Sequence, residues 1–229
     1  MEPIEIVWLA LDLDAPQLER GREWLSIHEL ARADRYVDAA HGARYVAAHA
    51  QLRWLLGRRL GAPPGRLAFE RGPHGKPGIP GAPLRFSLSH SGRWALVAMH
   101  PTLELGVDVE TAARSRNWLG LAERFFTAGE CAGLRALPRE DVPAQFCRIW
   151  ACKEAWMKAD GRGLAAGVAT AEVQLAREPA GIAAPSPPGT RTFCRELAPR
   201  SGYAAAVVAF VPTAEPDPEV TAAVLPPPL

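Results

Sequence analysis

Between Arg85 and Glu110 the chain writes three strand-like runs in succession, Arg85 to His90, Trp94 to His100 and Leu103 to Glu110, separated only by Ser91-Gly92 and Pro101. Links this short leave no room for a crossover, so the runs are expected to lie antiparallel, as a β-meander. The rest of the chain has to be arranged around that sheet. Ile4 to Leu11 predicts an earlier strand, and helical stretches follow over Gln17 to Tyr36 and Ala43 to Leu60. In the second of these, Val46, Leu52, Leu55 and Leu56 recur at helical spacing, and Gly61 before Pro63-Pro64 ends the run. Beyond the meander, Asn117 to Ala159 is helical again, with a break near Pro138 to Pro143 and a stop at Gly161-Arg162-Gly163. Strand-like runs at Ala171 to Ala176, Thr190 to Leu197 and Tyr203 to Val211 close the pattern. Each half therefore reads as helices plus an antiparallel sheet, an α+β class. Ala183 to Gly189 is a Pro-rich loop, and Pro212 to Leu229, with six prolines, is expected to be a loose tail.

Charge narrows the function. With 26 basic against 25 acidic side chains in 229 residues the net charge is +1, so no global field draws the chain to nucleic acid or an anionic membrane. Any anion site must be local. No apolar run approaches the length of a membrane span, and Met1-Glu2-Pro3-Ile4-Glu5 has no basic leader, so a cytoplasmic enzyme is expected. Cys131, Cys147, Cys152 and Cys194 form no C-x-x-C pair and read as reduced, mostly buried thiols. Of the basic residues 23 are Arg and only three are Lys, namely Lys76, Lys153 and Lys158. All three fall in segments that could carry chemistry, where a compact ammonium suits a site better than a planar fork.

Asp108 and Glu110, two apart on an expected strand, leave the same face while Val107 and Val109 leave the other. Such a pair suits Mg²⁺, which takes one or two carboxylates plus water and phosphate oxygens; a solvated strand end is the plain alternative. On a helical wheel, Phe146, Ile149, Trp150 and Met157 form an apolar stripe with Glu154 and Lys158 beside each other on its flank. Lys153 falls inside the stripe and needs a buried anion, with Asp108 or Glu110 as candidates, or must snorkel out. Ser87-Leu88-Ser89-His90-Ser91-Gly92 gathers small hydrogen-bonding groups around one imidazole. From Arg20 to Arg71 ten arginines stand against five acids, and the excess runs into the punctuated loop Gly72-Pro73-His74-Gly75-Lys76-Pro77-Gly78, a landing site for polyphosphate. Arg44 and Arg53 fall on opposite sides of a helix, so at most one can face a given pocket.

Taken in order, Gly75-Lys76-Pro77, Phe86-Ser87-Leu88-Ser89-His90-Ser91-Gly92, Gly106-Val107-Asp108-Val109-Glu110, Arg124-Phe125-Phe126-Thr127 with Glu130, and Trp150-x-x-Lys153-Glu154-Ala155-x-x-Lys158 with Gly161-x-Gly163-Leu164 resemble the 4′-phosphopantetheinyl transferases. The spacing is similar to the larger, monomeric surfactin-activating type, in the branch with Trp and Lys-Glu-Ala in the last motif. The resemblance implies two similar pseudo-twofold lobes, each a small mostly antiparallel sheet with helices, with the active site in the cleft between them. Residues 1–108 would form the coenzyme A-binding lobe and 109–211 the lobe carrying the metal and the catalytic helix, with 212–229 as the tail. By motif match Asp108, Glu110 and Glu154 would hold Mg²⁺, and Glu154 would also be the base for a serine of an apo acyl or peptidyl carrier protein. Lys158, His90 and Lys76 would bind phosphates, with His74, Gly75, Pro77 and Ser89 around coenzyme A and Arg32 and Arg44 at its 3′-phosphate or adenine. Two other readings use part of this set. A metal-dependent nuclease would need a basic, aromatic surface and a shorter Glu-to-Lys gap, and a non-catalytic coenzyme A-binding module would not need all three carboxylates.

Overall fold

The computed structural model describes residues 1–112, 117–174, 181–198 and 200–228. β1 (Ile4–Ala10) leads into α1 (Ala15–Trp24), α2 (Ile27–Ala33) and the long α3 (Ala39–Leu60). The short strands β2 (Glu70–Arg71) and β3 (Pro77–Gly78) form a hairpin, followed by β4 (Arg85–Ser91), β5 (Trp94–His100) and β6 (Leu105–Thr111). The second half holds α4 (Trp118–Phe125), α5 (Ala128–Arg135), α6 (Val142–Asp160), β7 (Glu172–Gln174), β8 (Gly181–Ala183), β9 (Thr190–Glu196), β10 (Tyr203–Pro212) and β11 (Val220–Leu225). Two sheets dominate, one in the order β11-β1-β5-β4 and one in the order β6-β10-β9. Every pairing in them is antiparallel except β1 with β11.

β1 and β10 are apolar at nearly every position, as strands covered on both faces must be. Ile4, Ile6 and Trp8 share a core between the sheets with Leu105, Val107 and Val109 of β6 and with Ala205, Val207 and Ala209 of β10. On the outer face of the first sheet, Val7, Leu9, Val97 and Met99 pack on Ala47, Ala48, Leu52, Leu55 and Leu56 of α3. On the outer face of the second, Ala206, Val208 and Phe210 pack on Ala151, Cys152, Ala155 and Trp156 of α6. The layers thus run α3, sheet, sheet, α6. Each lobe is one small sheet backed by one long helix, which is the expected α+β architecture.

Three expectations need correction. The meander stops after β5: β6 pairs with β10, not β5, in the register Val107↔Val207. The buried His100 ring turns the chain there, its Nδ1 accepting from Thr102 N at 3.1 Å and Leu103 N at 2.9 Å while Nε2 donates to the Glu2 carbonyl at 3.1 Å. The second sheet therefore begins at Leu105, and a lobe boundary at residue 108 falls inside β6. The expected loose tail is also ordered in part, because Val220 to Leu225 extends the first sheet beside Ile4 to Leu9. Finally, the strand expected at Ala171 to Ala176 is shorter, β7 pairing with the unforeseen β8; residues 175 and 176 lie outside the described residues.

β4 ends one sheet and β6 ends the other, and side chains join these two edges. Val107 N–H donates to Ser87 Oγ at 3.1 Å, and Ser89 Oγ donates to Asp108 Oδ1 at 2.6 Å. Across this seam α6 passes so close to β6 that a Cβ placed on Gly106 would lie 2.0 Å from the Ala155 carbonyl oxygen and 2.5 Å from Ala159 N. Those are backbone atoms and cannot swing aside. Gly106→Ala is therefore expected to push α6 off the sheet, costing about 1–3 kcal/mol by overpacking and lowering activity, since α6 carries Glu154 and Lys158. Thermal melting and activity measured on the same preparation check both effects.

Candidate active site

α6 ends at Gly161, whose left-handed backbone (φ 82°) lets its N–H close on the Met157 carbonyl at 2.9 Å. One turn before that end, Lys158 Nζ donates to Asp108 Oδ1 at 2.6 Å and to the Val107 carbonyl at 3.2 Å. Asp108 is buried on β6, and its Oδ1 takes both Lys158 and Ser89 while Oδ2 is buried without a donor. Glu154, one helical turn before Lys158, has its carboxyl raised above the usual range, first by burial and then by the negative charge of Asp108, with Lys158 pulling the other way. Two carboxylates thus lie close enough to repel each other, with Lys158 held on Oδ1 of one of them.

Above this group a cleft of about 440 Å³ opens between the lobes. Glu154, Met157 and Lys158 form one wall. Arg32, Tyr45, His49 and His90 from the first lobe form the other, and the β2–β3 hairpin supplies Arg71, His74, Gly75, Lys76 and Pro77. The His90 imidazole is held below its ordinary pKa, first by desolvation among the cleft walls and then by the positive charges of Lys158 and Arg32. A larger recess of about 680 Å³ beside the hairpin has acids in its lining as well, with Arg85 and Lys76 paired to Glu104 and Asp160 holding Arg162. The cleft is the better anion site, because Arg32, Lys158 and His90 converge on it from both lobes.

The profile of the 4′-phosphopantetheinyl transferase superfamily matches residues 104–208. The 4′-phosphopantetheinyl transferase HetI of Nostoc sp. (strain PCC 7120) is 39% identical over 161 residues, which cover 69% of this chain and 68% of HetI. This chain belongs to the 4′-phosphopantetheinyl transferases. The transferase Sfp of Bacillus subtilis (strain 168) is 27% identical over 170 residues, 74% of this chain and 75% of Sfp. A solved holo-(acyl-carrier-protein) synthase from Bacillus anthracis aligns over 48% of this chain and 97% of its own, with 19% identity and a TM-score of 0.42.

In this transferase several residues singled out from sequence stand elsewhere than expected. Arg44 is turned away from the cleft onto Asp12, its Nε 3.0 Å from Oδ1. Arg53 is buried against Glu29 and the Pro64 and Leu67 carbonyls, so neither arginine of that pair faces the pocket. Lys153 pairs with neither Asp108 nor Glu110; its Nζ lies 2.9 Å from Glu130 Oε2 and donates to the Val168 and Ala171 carbonyls. Lys76 lines the cleft, but its Nζ already donates to Glu104 Oε2, Leu105 O and Ala159 O, which uses the three donors of an ammonium. It straps the hairpin to the start of β6 and the end of α6. Ser89 is buried on Asp108 rather than lining the cleft.

The metal trio is not a preformed cage. Among the described residues no three His, Cys, Asp or Glu side chains gather closely enough to hold an ion. Asp108 and Glu154 come together, while Glu110 sits half-buried two residues along the same strand face. Arg71, Tyr45 and His49, not singled out as site residues from sequence, also line the cleft. Arg71 reaches the cleft and fixes the hairpin through Nη1 to the Gly75 carbonyl at 3.1 Å. Tyr45 and His49 stack at 3.9 Å between centroids, with Arg32 over the tyrosine ring. His49, its Nδ1 donating to the Tyr45 carbonyl, is pushed down to about 4 by burial and stays neutral. An aromatic pair at i, i+4 was the available signal.

Proposed function

We propose that this chain transfers the 4′-phosphopantetheine arm of coenzyme A to a serine hydroxyl of an apo acyl or peptidyl carrier protein, releasing adenosine 3′,5′-bisphosphate. The observation that supports it most is the raised Glu154 carboxyl set beside Lys158 and opposite Arg32 and His90 in one cleft. Glu154 is the base for the serine proton, a carboxylate placed in the cleft beside Lys158. Lys158 leaves Asp108 to meet the pyrophosphate as a point charge. His90 and Arg32 bind the departing bisphosphate, with Arg71 and the Lys76 strap shaping the rim. This wall suits the 3′-phosphate without Arg44.

The donor set fits Mg²⁺. Asp108 Oδ2 is buried without a partner, and the charge of Asp108 raises Glu154, so the two carboxylates lack a cation between them. Asp108 and Glu154 would hold the ion, with Glu110 further along the face, and phosphate oxygens and water could supply further ligands. When bound, it neutralises charge on the bridging oxygens.

No described helix is long and apolar enough to cross a membrane, and the cysteines are free thiols, three of them buried. We place the reaction in the cytoplasm, carried out by a monomer, with no nucleic acid as partner.

Incubating the protein with coenzyme A, Mg²⁺ and a set of apo-carriers, and weighing the carriers by mass spectrometry, tests the assignment. One phosphopantetheine added to a serine is expected, and no carrier gaining mass overturns it. A proton balance accompanies binding. Burial and the charges of Lys158 and Arg32 disfavour the His90 imidazolium in the free protein, and a bound phosphate favours it, so binding of coenzyme A is accompanied by proton uptake at His90. Affinity is expected to tighten as pH falls through the range in which the bound imidazole titrates. Calorimetry in buffers of different ionisation enthalpy should show uptake that His90→Gln abolishes.

A further inference from the structure

We infer that Ser89 is a positioning residue for Asp108, holding one carboxylate oxygen so that the other is presented to the cation; this rests on the magnesium reading above. The Ser89 hydroxyl has one proton, and it is committed to Asp108 Oδ1 at 2.6 Å, because an ionised carboxylate only accepts. That donor is therefore not available to a phosphate, and Ser89 is absent from the cleft wall. Its own place is fixed, since β4 pairs with β5 in the register Ser89↔Leu96 and the residue is buried.

Among the described residues Asp108 has one other side-chain partner, Lys158, on the same oxygen. The two donors differ in mobility. The Lys158 side chain is 29% exposed at the cleft, on a flexible stem, and is the charge that turns to the pyrophosphate. Once it turns, Ser89 alone fixes the Asp108 carboxylate, and Oδ2 keeps its orientation. Two serines two apart therefore do different work at the seam: Ser87 accepts from Val107 N–H and joins the sheets, while Ser89 aims a ligand.

The test compares Ser89→Ala, Ser89→Thr, Ser87→Ala and Asp108→Asn in the full chain. Mn²⁺ binding in the presence of coenzyme A is followed by electron paramagnetic resonance, beside the Mg²⁺ concentration for half-maximal transfer, coenzyme A affinity and melting temperature. Groups that orient a metal ligand typically matter by about 10–100-fold in affinity. Ser89→Ala is expected to weaken Mn²⁺ binding and raise the Mg²⁺ requirement by about tenfold with coenzyme A affinity held within about twofold. Ser89→Thr, which keeps the hydroxyl, should restore most of the metal affinity. Ser87→Ala should lower the melting temperature and leave metal affinity unchanged. Unaltered Mn²⁺ binding in Ser89→Ala, or weaker coenzyme A binding in its place, overturns the inference while Asp108→Asn still loses metal. If Asp108→Asn also binds Mn²⁺ normally, the magnesium reading itself fails and the inference falls with it.

Discussion

Glu154→Gln is expected to leave a folded protein that binds coenzyme A and transfers phosphopantetheine about 10²–10⁴-fold more slowly, the usual cost of losing a general base. The substitution keeps the side chain's size and its place on α6 while removing the charge that burial and Asp108 already press against. A surface glutamate in an i, i+4 pair with lysine would contribute only tenths of a kcal/mol and no rate. Single-turnover transfer to an apo-carrier, measured with coenzyme A affinity, separates these cases. A wild-type rate would remove Glu154 from the chemistry, and a lost affinity with an intact rate at saturation would make it a binding group only.

The neighbouring residue should behave in the opposite way. Lys153 is fully buried, and Glu130, which it neutralises, also accepts from Thr127 N at 2.8 Å and Val173 N at 2.7 Å. Burial pushes the Lys153 ammonium below its ordinary pKa and Glu130 pulls it back. Removing one partner of such a pair leaves the other charge stranded, at a cost of about 3–5 kcal/mol. Lys153→Met is therefore expected to lower the melting temperature by roughly 6–20 °C in a chain of this size. The double variant Lys153→Met, Glu130→Gln should recover much of that loss, because neither side then carries an unpaired charge. Lys158→Ala, by contrast, should lower turnover more than melting temperature. Equal melting losses in Lys153→Met and Lys158→Ala would erase the distinction.

Helical spacing made the α6 residues legible, because Glu154 and Lys158 must share a flank wherever the helix lands. The shared face of Asp108 and Glu110 was legible for the same reason, by the two-residue period of a strand. Partners across the fold were not. Lys153 demanded an anion, but the choice of Glu130 depends on how α5 docks, which no spacing encodes. Arg44 and Arg53 were separated correctly by the wheel, yet both pair with acids outside the cleft, Asp12 and Glu29. The meander failed after His100, because Pro101 marks a turn but not its direction, and the ring that accepts two backbone N–H groups sends the chain to the other sheet. In the last segment, the prolines around Val220 to Leu225 masked a β-prone run that pairs with β1.

That last pairing sets an order of events during synthesis. β1 is synthesised long before the strand that covers its edge, which arrives only with Val220. Between those moments α6 and the β6-β10-β9 sheet can close on each other, whereas the other sheet still shows an open row of N–H and C=O groups flanked by Ile4, Ile6 and Leu9. Such a row is a template for pairing with another nascent chain. Chains that stop short of Val220 should consequently be more aggregation-prone than their composition suggests, with α6 already in place.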